Sequence, residues 1–405
     1  MPVRRSTPAL LTGVMLVGLV AAPGAAHAVP DQELPFACAE DWTGTTRANH
    51  SPSPLAVDFN RPGDLGRFVL ASAPGVVSRV GDHGDRSYGK WVEIDHGEGH
   101  STLYAHLRVS WPVTGQYVDQ GAPIGRVGDT GRVSGAHLHY EQREGKDVVA
   151  PSFAGELFRF GATQSSTNCP DVPLAGDWDG DRAAEVAVFR RDAGPGTFEM
   201  YSPDAPVGPV RLGRGFDLPV AGDWDGDGVT DVGVRRQAPR LFLLRNGDGT
   251  KTRIRVGMVR DLPVTGDWEG DGVTNVGVWR PRVARFRLVR GDGSHAVVRL
   301  GSPGSIPVTG DWDGDRITDL GVYDPASSTF TLRLAPPGGA VSYVTAWLGG
   351  PGDLPVTGDW DGDGVADIGV WTPSTATYTL RVAAADTTAR SSEPELRTLA
   401  FGRPR

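Results

Sequence analysis

Val220-Ala-Gly-Asp-Trp-Asp-Gly-Asp-Gly228 returns in four variants elsewhere in the chain, and its spacing decides the fold of the C-terminal part. The variants start at Leu174, Val264, Val308 and Val356, so the leading aspartates Asp177, Asp223, Asp267, Asp311 and Asp359 stand 46, 44, 44 and 48 residues apart. A fixed period of this length marks a repeat architecture with one supersecondary unit per repeat. Behind each phrase comes an alternating apolar run, such as Val232-Gly-Val234 or Ile368-Gly-Val-Trp371. A second run follows, as at Leu241-Phe-Leu-Leu244 and Phe286-Arg-Leu-Val289, then a turn and a third run ending in Leu-Gly. Such alternation reads as β-strand, and three to four short strands per unit of about 45 residues is the pattern of a propeller blade. If the Leu-Gly strand (Leu212-Gly213, Leu300-Gly301) opens each blade, the first blade lacks one and a spare copy, Leu396-Arg-Thr-Leu-Ala-Phe-Gly402, stands at the C-terminus. The expectation is a closed five-bladed propeller whose first blade is completed by that last strand, which hides the sheet edge.

Composition agrees with an all-β chain. Among 405 residues there are 56 Gly and 32 Pro, which suit many turns between short strands. Only 22% of residues are charged and 39% are hydrophobic, so the chain can fill cores and is not a disordered polymer. The length points to two or three domains. A formal charge of −9 argues against a general nucleic-acid binder.

Each repeat loop places acidic residues at positions 1, 3, 5 and 9. In the second repeat these are Asp223, Asp225, Asp227 and Asp231, and in the fifth Asp359, Asp361, Asp363 and Asp367. Calcium takes six to eight oxygens, and closely spaced carboxylates on tightly turned backbone can converge on one ion. Position 12, where an EF-hand carries Glu, holds Val234, and strands rather than helices flank the loop. The loops resemble the calcium-binding loops of FG-GAP/VCBS-type propeller repeats, which implies structural calcium. The second and fifth match best. The third carries Glu269 and Asn275, while the first and fourth carry Arg182 and Arg316 where glycine would ease the turn. Turn-capping aspartates without metal are the alternative. The loop tryptophans are expected to pack between blades, with carbohydrate binding as another use.

The N-terminus reads as an export signal. Arg4 and Arg5 precede a short apolar run, Ala9 to Ala22, and Ala26-His27-Ala28 supplies a small-x-small cleavage site. The run is too short to span a bilayer, so the expectation is a secreted protein with no membrane anchor after cleavage. The only cysteines, Cys38 and Cys169, are expected to pair in an oxidising compartment. The domain reading is a signal at residues 1–28, a histidine-rich domain at 29–169 built on an antiparallel sheet, and the propeller at 170–405.

Seven of the nine histidines lie between His50 and His139. In Ala136-His-Leu-His-Tyr-Glu141, His137 and His139 point to one face of a strand and Leu138 and Tyr140 to the other. Two imidazoles over an apolar layer suit a zinc ion, which takes neutral ring nitrogens. A purely structural pair is the bland alternative. His50, Asp58, His106 and the His137/His139 pair occur in an order that resembles lysostaphin-type zinc endopeptidases, which cleave bacterial peptidoglycan. The resemblance spans roughly residues 50–153 and includes Tyr88-Gly, Ile94-Asp-His-Gly, Thr102-Leu-Tyr-Ala-His-Leu, Gly121-Ala-Pro-Ile-Gly-Arg-Val-Gly-Asp-Thr-Gly131 and Gly135-Ala-His-Leu-His-Tyr-Glu141. It implies His50, Asp58 and His139 as zinc ligands, with His106 and His137 as the catalytic histidines that handle protons and stabilise the transition state. One departure is plain: seven residues separate His50 from Asp58, against the family's three. His83, His96 and His100 are the other candidates for the first ligand. Glu141, on the face of His139, is a candidate to orient it.

These readings converge on a secreted zinc endopeptidase acting on peptidoglycan peptides, expected as a monomer, with a calcium-associated propeller that docks or spaces it. The alternative is a catalytically silent wall-binding protein that retains the fold.

Overall fold

The computed structural model describes residues 31–192, 194–203, 207–382 and 394–404; the stretch read as an export signal lies outside them. Among the described residues the architecture is all-β apart from one 3₁₀ turn, Pro281–Val283. In the N-terminal part the main antiparallel strands are β1 (Asp41–Thr45), β2 (Val57–Asn60), β3 (Gly75–Asp82), β4 (Lys90–Gly97), β5 (His100–Ala105), β6 (Tyr117–Val118), β7 (Leu138–Glu144) and β8 (Thr163–Ser165). Their spatial order is β8-β1-β2-β7-β5-β4-β3-β6, so β7 lies between β2 and β5. Across these strands His139 pairs with Asp58 on one side and Ala105 on the other.

Alternation along β7 sorts its side chains. Leu138 and Tyr140 are fully buried among Val57, Phe59, Tyr104 and Phe153 on the core face, while His137, His139, Glu141 and Arg143 take the other. A small three-stranded sheet (Phe68–Leu70, Leu107–Ser110 and Pro123–Val127) sits beside the main one. Cys38 and Cys169 form a disulfide, 131 residues apart in sequence, at the two ends of this part.

The C-terminal part holds five four-stranded antiparallel sheets. Each uses consecutive strands, as in the second sheet: Leu218–Gly222, Asp231–Arg236, Leu241–Arg245 and Lys251–Arg255. The first strands of the five sheets touch in cyclic order, the fifth against the first. One hydrogen bond repeats at each junction. Thr230 N donates to Asp177 O, Thr274 N to Asp223 O, Thr318 N to Asp267 O and Ala366 N to Asp311 O, and Ala184 N to Asp359 O joins the last sheet to the first.

The end of the chain departs from expectation. The strand Glu395–Ala400 pairs with Thr377–Val382 and is the outer strand of the fifth sheet. The first sheet is completed by its own Val210–Arg211. The Leu-Gly strand therefore closes a sheet rather than opening the next, because pairing neighbours in sequence costs less loop entropy than pairing across the array. Side chains close the seam instead: Tyr378 Oη donates to Ala187 O, and Arg403 pairs with Asp171 and Asp192.

The loop tryptophans are packing elements. Trp178, Trp268, Trp312 and Trp360 are all at most 8% exposed. The glycine before each aspartate makes room: a Cβ on Gly222 would stand 2.4 Å from Thr274 and 2.7 Å from the Trp224 ring.

Candidate metal centre

Asp58 comes from β2 and His139 from β7, facing each other across adjacent strands. His50 reaches the same point from the preceding loop, which folds back through His50 N to Arg47 O, Thr46 Oγ1 to Pro54 O and Ala56 N to Ser53 O. The seven-residue spacing thus delivers the histidine. His50 Nε2 lies 3.0 Å from Asp58 Oδ1, His139 Nδ1 lies 3.1 Å from the same oxygen, and the two nitrogens are 3.2 Å apart. All three residues are buried. Donors at ~2.0–2.1 Å from a tetrahedral zinc stand about 3.3 Å from one another, so the triangle fits that ion with little adjustment.

The tautomers also fit. His50 donates Nδ1–H to Ala56 O at 3.0 Å, and His139 donates Nε2–H to Glu141 Oε1 at 2.8 Å. Each ring therefore turns a lone pair toward the shared point. When protonated, the same two nitrogens donate to Asp58 instead: burial pushes its carboxyl up, but these hydrogen bonds from His139 and His50 outweigh it and hold it far below the usual range. Burial pulls the His139 ring down, and the carboxylates of Asp58 and Glu141 more than reverse that.

His106 and His137 complete the group, their rings 4.9 Å apart. His106 follows β5 with a left-handed φ of 61°, uncommon for a residue with a side chain. It donates Nδ1–H to Thr130 O at 2.9 Å, which leaves Nε2 as an acceptor. Burial, followed by the neighbouring His137 and His139, lowers its pKa to about 4, so it is neutral. His137 is half-buried, with Nε2 3.5 Å from Asp58 Oδ1. The rival first ligands are elsewhere. His96 is bound to Pro74 O and Thr102 Oγ1, His83 packs on Trp91, and His100 opens β5.

Sequence reasoning missed the support behind Glu141. This carboxylate is fully buried and also accepts Tyr88 Oη at 2.7 Å and Arg143 Nε at 2.6 Å. Arg143 continues to Glu93, which pairs with Arg79. The signal was present: Glu141 and Arg143 extend the two-residue rhythm of His137 and His139. Nothing in the sequence pointed to Arg47, which approaches Asp58 Oδ2 at 3.5 Å from the solvent side.

The repeat loops give a second set of donors. Carboxylate oxygens of Asp223, Asp225 and Asp231 converge, as do those of Asp359, Asp361 and Asp363. Asp227 and Asp367 are outside these groups: Asp227 caps Val229 N and Asp367 accepts Trp360 N. The first loop (Asp177, Asp179, Glu185) and the fourth (Asp311, Asp313, Asp315) also converge. Arg182 and Arg316 adopt the left-handed turn themselves, with φ of 81° and 69°, so the missing glycine does not open either loop. In the fourth loop Asp319 is buried with Oδ2 lacking a hydrogen-bond partner. Burial and then Asp313 raise its pKa to about 7.

His50, Asp58 and His139 could together hold one metal ion, and two imidazoles with one carboxylate are a donor set that suits zinc. Residues 55–151, which include every one of these groups except His50, match the model of Peptidase family M23. A DD-carboxypeptidase/endopeptidase, Mpg, of Neisseria meningitidis is 44% identical over 95 residues, 24% of this chain and 21% of that one. The peptidoglycan DD-endopeptidase ShyA of Vibrio cholerae is 43% identical over 84 residues, 21% of this chain and 19% of that one. The chain thus spans about a fifth of the length of these relatives. A zinc-containing peptidase structure from Vibrio cholerae is 25% identical with a TM-score of 0.25, covering 29% of this chain and 39% of that one.

Proposed function

We propose that this protein is a secreted zinc metalloendopeptidase that hydrolyses peptide bonds of bacterial peptidoglycan. The observation that carries the reading is the triangle of His50 Nε2, Asp58 Oδ1 and His139 Nδ1, all lone pairs aimed at one point beside two more histidines. The similarity of part of the chain to peptidoglycan endopeptidases supports the substrate class. Zinc held by these three residues would polarise the scissile carbonyl and acidify a water in the remaining position. His106, neutral and held by Thr130, accepts the proton at Nε2 and passes it to the leaving amine. His137, at the mouth, hydrogen-bonds the oxygen where negative charge develops. Glu141 fixes the tautomer and angle of His139.

Residues 29–169 would form the peptidase domain and 170–405 a five-bladed propeller of the FG-GAP/VCBS kind. Its loops would hold calcium as a structural ion, and the unpartnered Asp319 Oδ2 supports extending that reading to the fourth loop. Addition of calcium should raise the unfolding temperature of the ring, and Asp311→Asn should remove part of the gain; no shift on addition would reject it.

The test of the main reading is release of new amino groups from purified peptidoglycan by the zinc-loaded protein beside His139→Ala. Release by the native chain alone is expected. Absence of release across walls of several cross-link types would reject it.

A further inference from the structure

The loop that runs from Leu107–Ser110 to β6 meets the ring at the end of its first strands opposite the aspartate loops, and a cleft opens there. It has two adjoining lobes of about 450 and 460 Å³, which share Val113, Arg260 and Arg282. Met258, Val259, Pro281 and Pro303 make an apolar floor. Around it stand Arg240, Arg260, Arg280 and Arg282, against the single carboxylate of Asp261. That carboxylate is taken up by Arg280, whose Nε and Nη2 donate to its two oxygens at 2.9 Å each.

Among the described residues no carboxylate pairs with Arg240, Arg260 or Arg282. Arg260 is fixed across the junction by donating to Ser110 O at 2.8 Å. Beneath the cleft Arg235 is fully buried, donating to the backbone oxygens of Asp261 and Met258, with its Nε unpartnered. The charge is concentrated here against the trend of the chain. Between Arg235 and Arg299 there are 14 Arg and Lys against 6 Asp and Glu, in a protein of formal charge −9. Like charges gathered over an apolar floor repel one another and are stabilised by a bound anion. Burial and then Arg282 lower the pKa of Arg260; burial lowers that of Arg235 to about 10, with Asp261 opposing the shift and Arg240 adding to it.

We propose that this cleft binds a phosphodiester-linked polymer of the cell wall, with phosphates on the arginine forks and the carbon chain between them on the Met258–Pro281 floor. Guanidinium matches phosphate oxygens two at a time, and a cleft that continues past the shared Arg260 and Arg282 into a second lobe suits a chain better than a single ion. The naming of a wall polymer rests on the wall-acting function proposed above; the anion site itself does not. The cleft adjoins β6, four strand spacings from β7 and so about 19 Å from the metal ligands across the sheet. A polymer held there would tether the wall without covering His50, Asp58 and His139.

The test uses the full chain without its signal and a fluorescent glycerol-phosphate oligomer of about ten units, titrated by anisotropy at several salt concentrations. Arg240→Ala/Arg282→Ala is the variant, since both side chains are exposed and a melting curve checks the fold. Binding by the native chain is expected, with affinity at least about tenfold lower in the variant and a log–log salt slope smaller by about two. Unchanged affinity in the variant, or no binding by the native chain, overturns the site. An oligonucleotide of equal charge that binds as tightly overturns its assignment to a wall polymer. Amino-group release from polymer-free peptidoglycan reports separately on the peptidase, and its failure with intact oligomer binding would remove the wall assignment and leave the anion site.

Discussion

Glu141→Gln is the sharpest probe of the metal centre, because it keeps the shape and removes only the charge. The carboxylate accepts from three donors, His139 Nε2, Tyr88 Oη and Arg143 Nε, at 2.6–2.8 Å, with no exposure to solvent. A hydrogen bond to a charged group contributes ~1.5–3 kcal/mol. The amide retains one acceptor oxygen and turns an NH₂ toward donors, so one or two of the three bonds are lost. Allowing for relaxation, the apo fold should lose about 2–4 kcal/mol. For a unit of this size that lowers Tm by roughly 6–12 °C. The lost partner also frees the His139 ring, and removal of such an orienting group typically weakens metal affinity ~10–100-fold. Calorimetry of the apo protein gives the first quantity and chelator competition for zinc gives the second. Tm and zinc affinity both unchanged, within about 2 °C and twofold, would refute the role assigned to Glu141.

Three further outcomes follow from the packing. Replacing Cys38 and Cys169 by serine should lower stability by about 2–4 kcal/mol in urea unfolding, since the link closes a long loop; an unchanged midpoint would count against it. Arg403→Ala strips the fully buried Asp171 carboxylate of a partner at 2.8 Å and should cost about 1–3 kcal/mol, read as a lower unfolding temperature of the ring with the transition of the N-terminal part unmoved. Burial holds the His96 ring below its ordinary pKa. The unfolded chain therefore binds a proton there before the folded one does. Stability is full above about pH 6.5 and falls as pH drops below it, by at most ~1.4 kcal/mol per unit. His96→Gln should remove that slope, and the same loss in both proteins between pH 7.5 and 5.5 would show that other groups carry it.

The repeats were legible because one phrase recurs five times, and so was the His-x-His strand, because alternation over Leu138 and Tyr140 fixes its faces. The return of the chain from His50 to Asp58 was not: a seven-residue loop has many closures, and hydrogen bonds through Thr46, Ser53 and Ala56 select this one. Strand phase in the ring was misread at its ends for a related reason. A Leu-Gly strand can close one sheet or open the next with the same side-chain pattern, and only the register with Thr377–Val382 decides. Arg182 and Arg316 show the limit of residue preference, since each takes the left-handed turn that glycine would have eased. The cationic cleft joins segments that are more than a hundred residues apart, so no local window contains it.

That each ring sheet is one unbroken run of sequence also bears on how the protein is made. No sheet waits for a strand from the far end of the chain, so each can form as soon as its own residues have emerged. Its contacts are local, which favours fast formation. Only the seam between the fifth sheet and the first joins distant segments, and it consists of side-chain bonds and a short backbone contact. Closure is then the last and slowest event of ring assembly, and the final residues through Arg403 act as its latch.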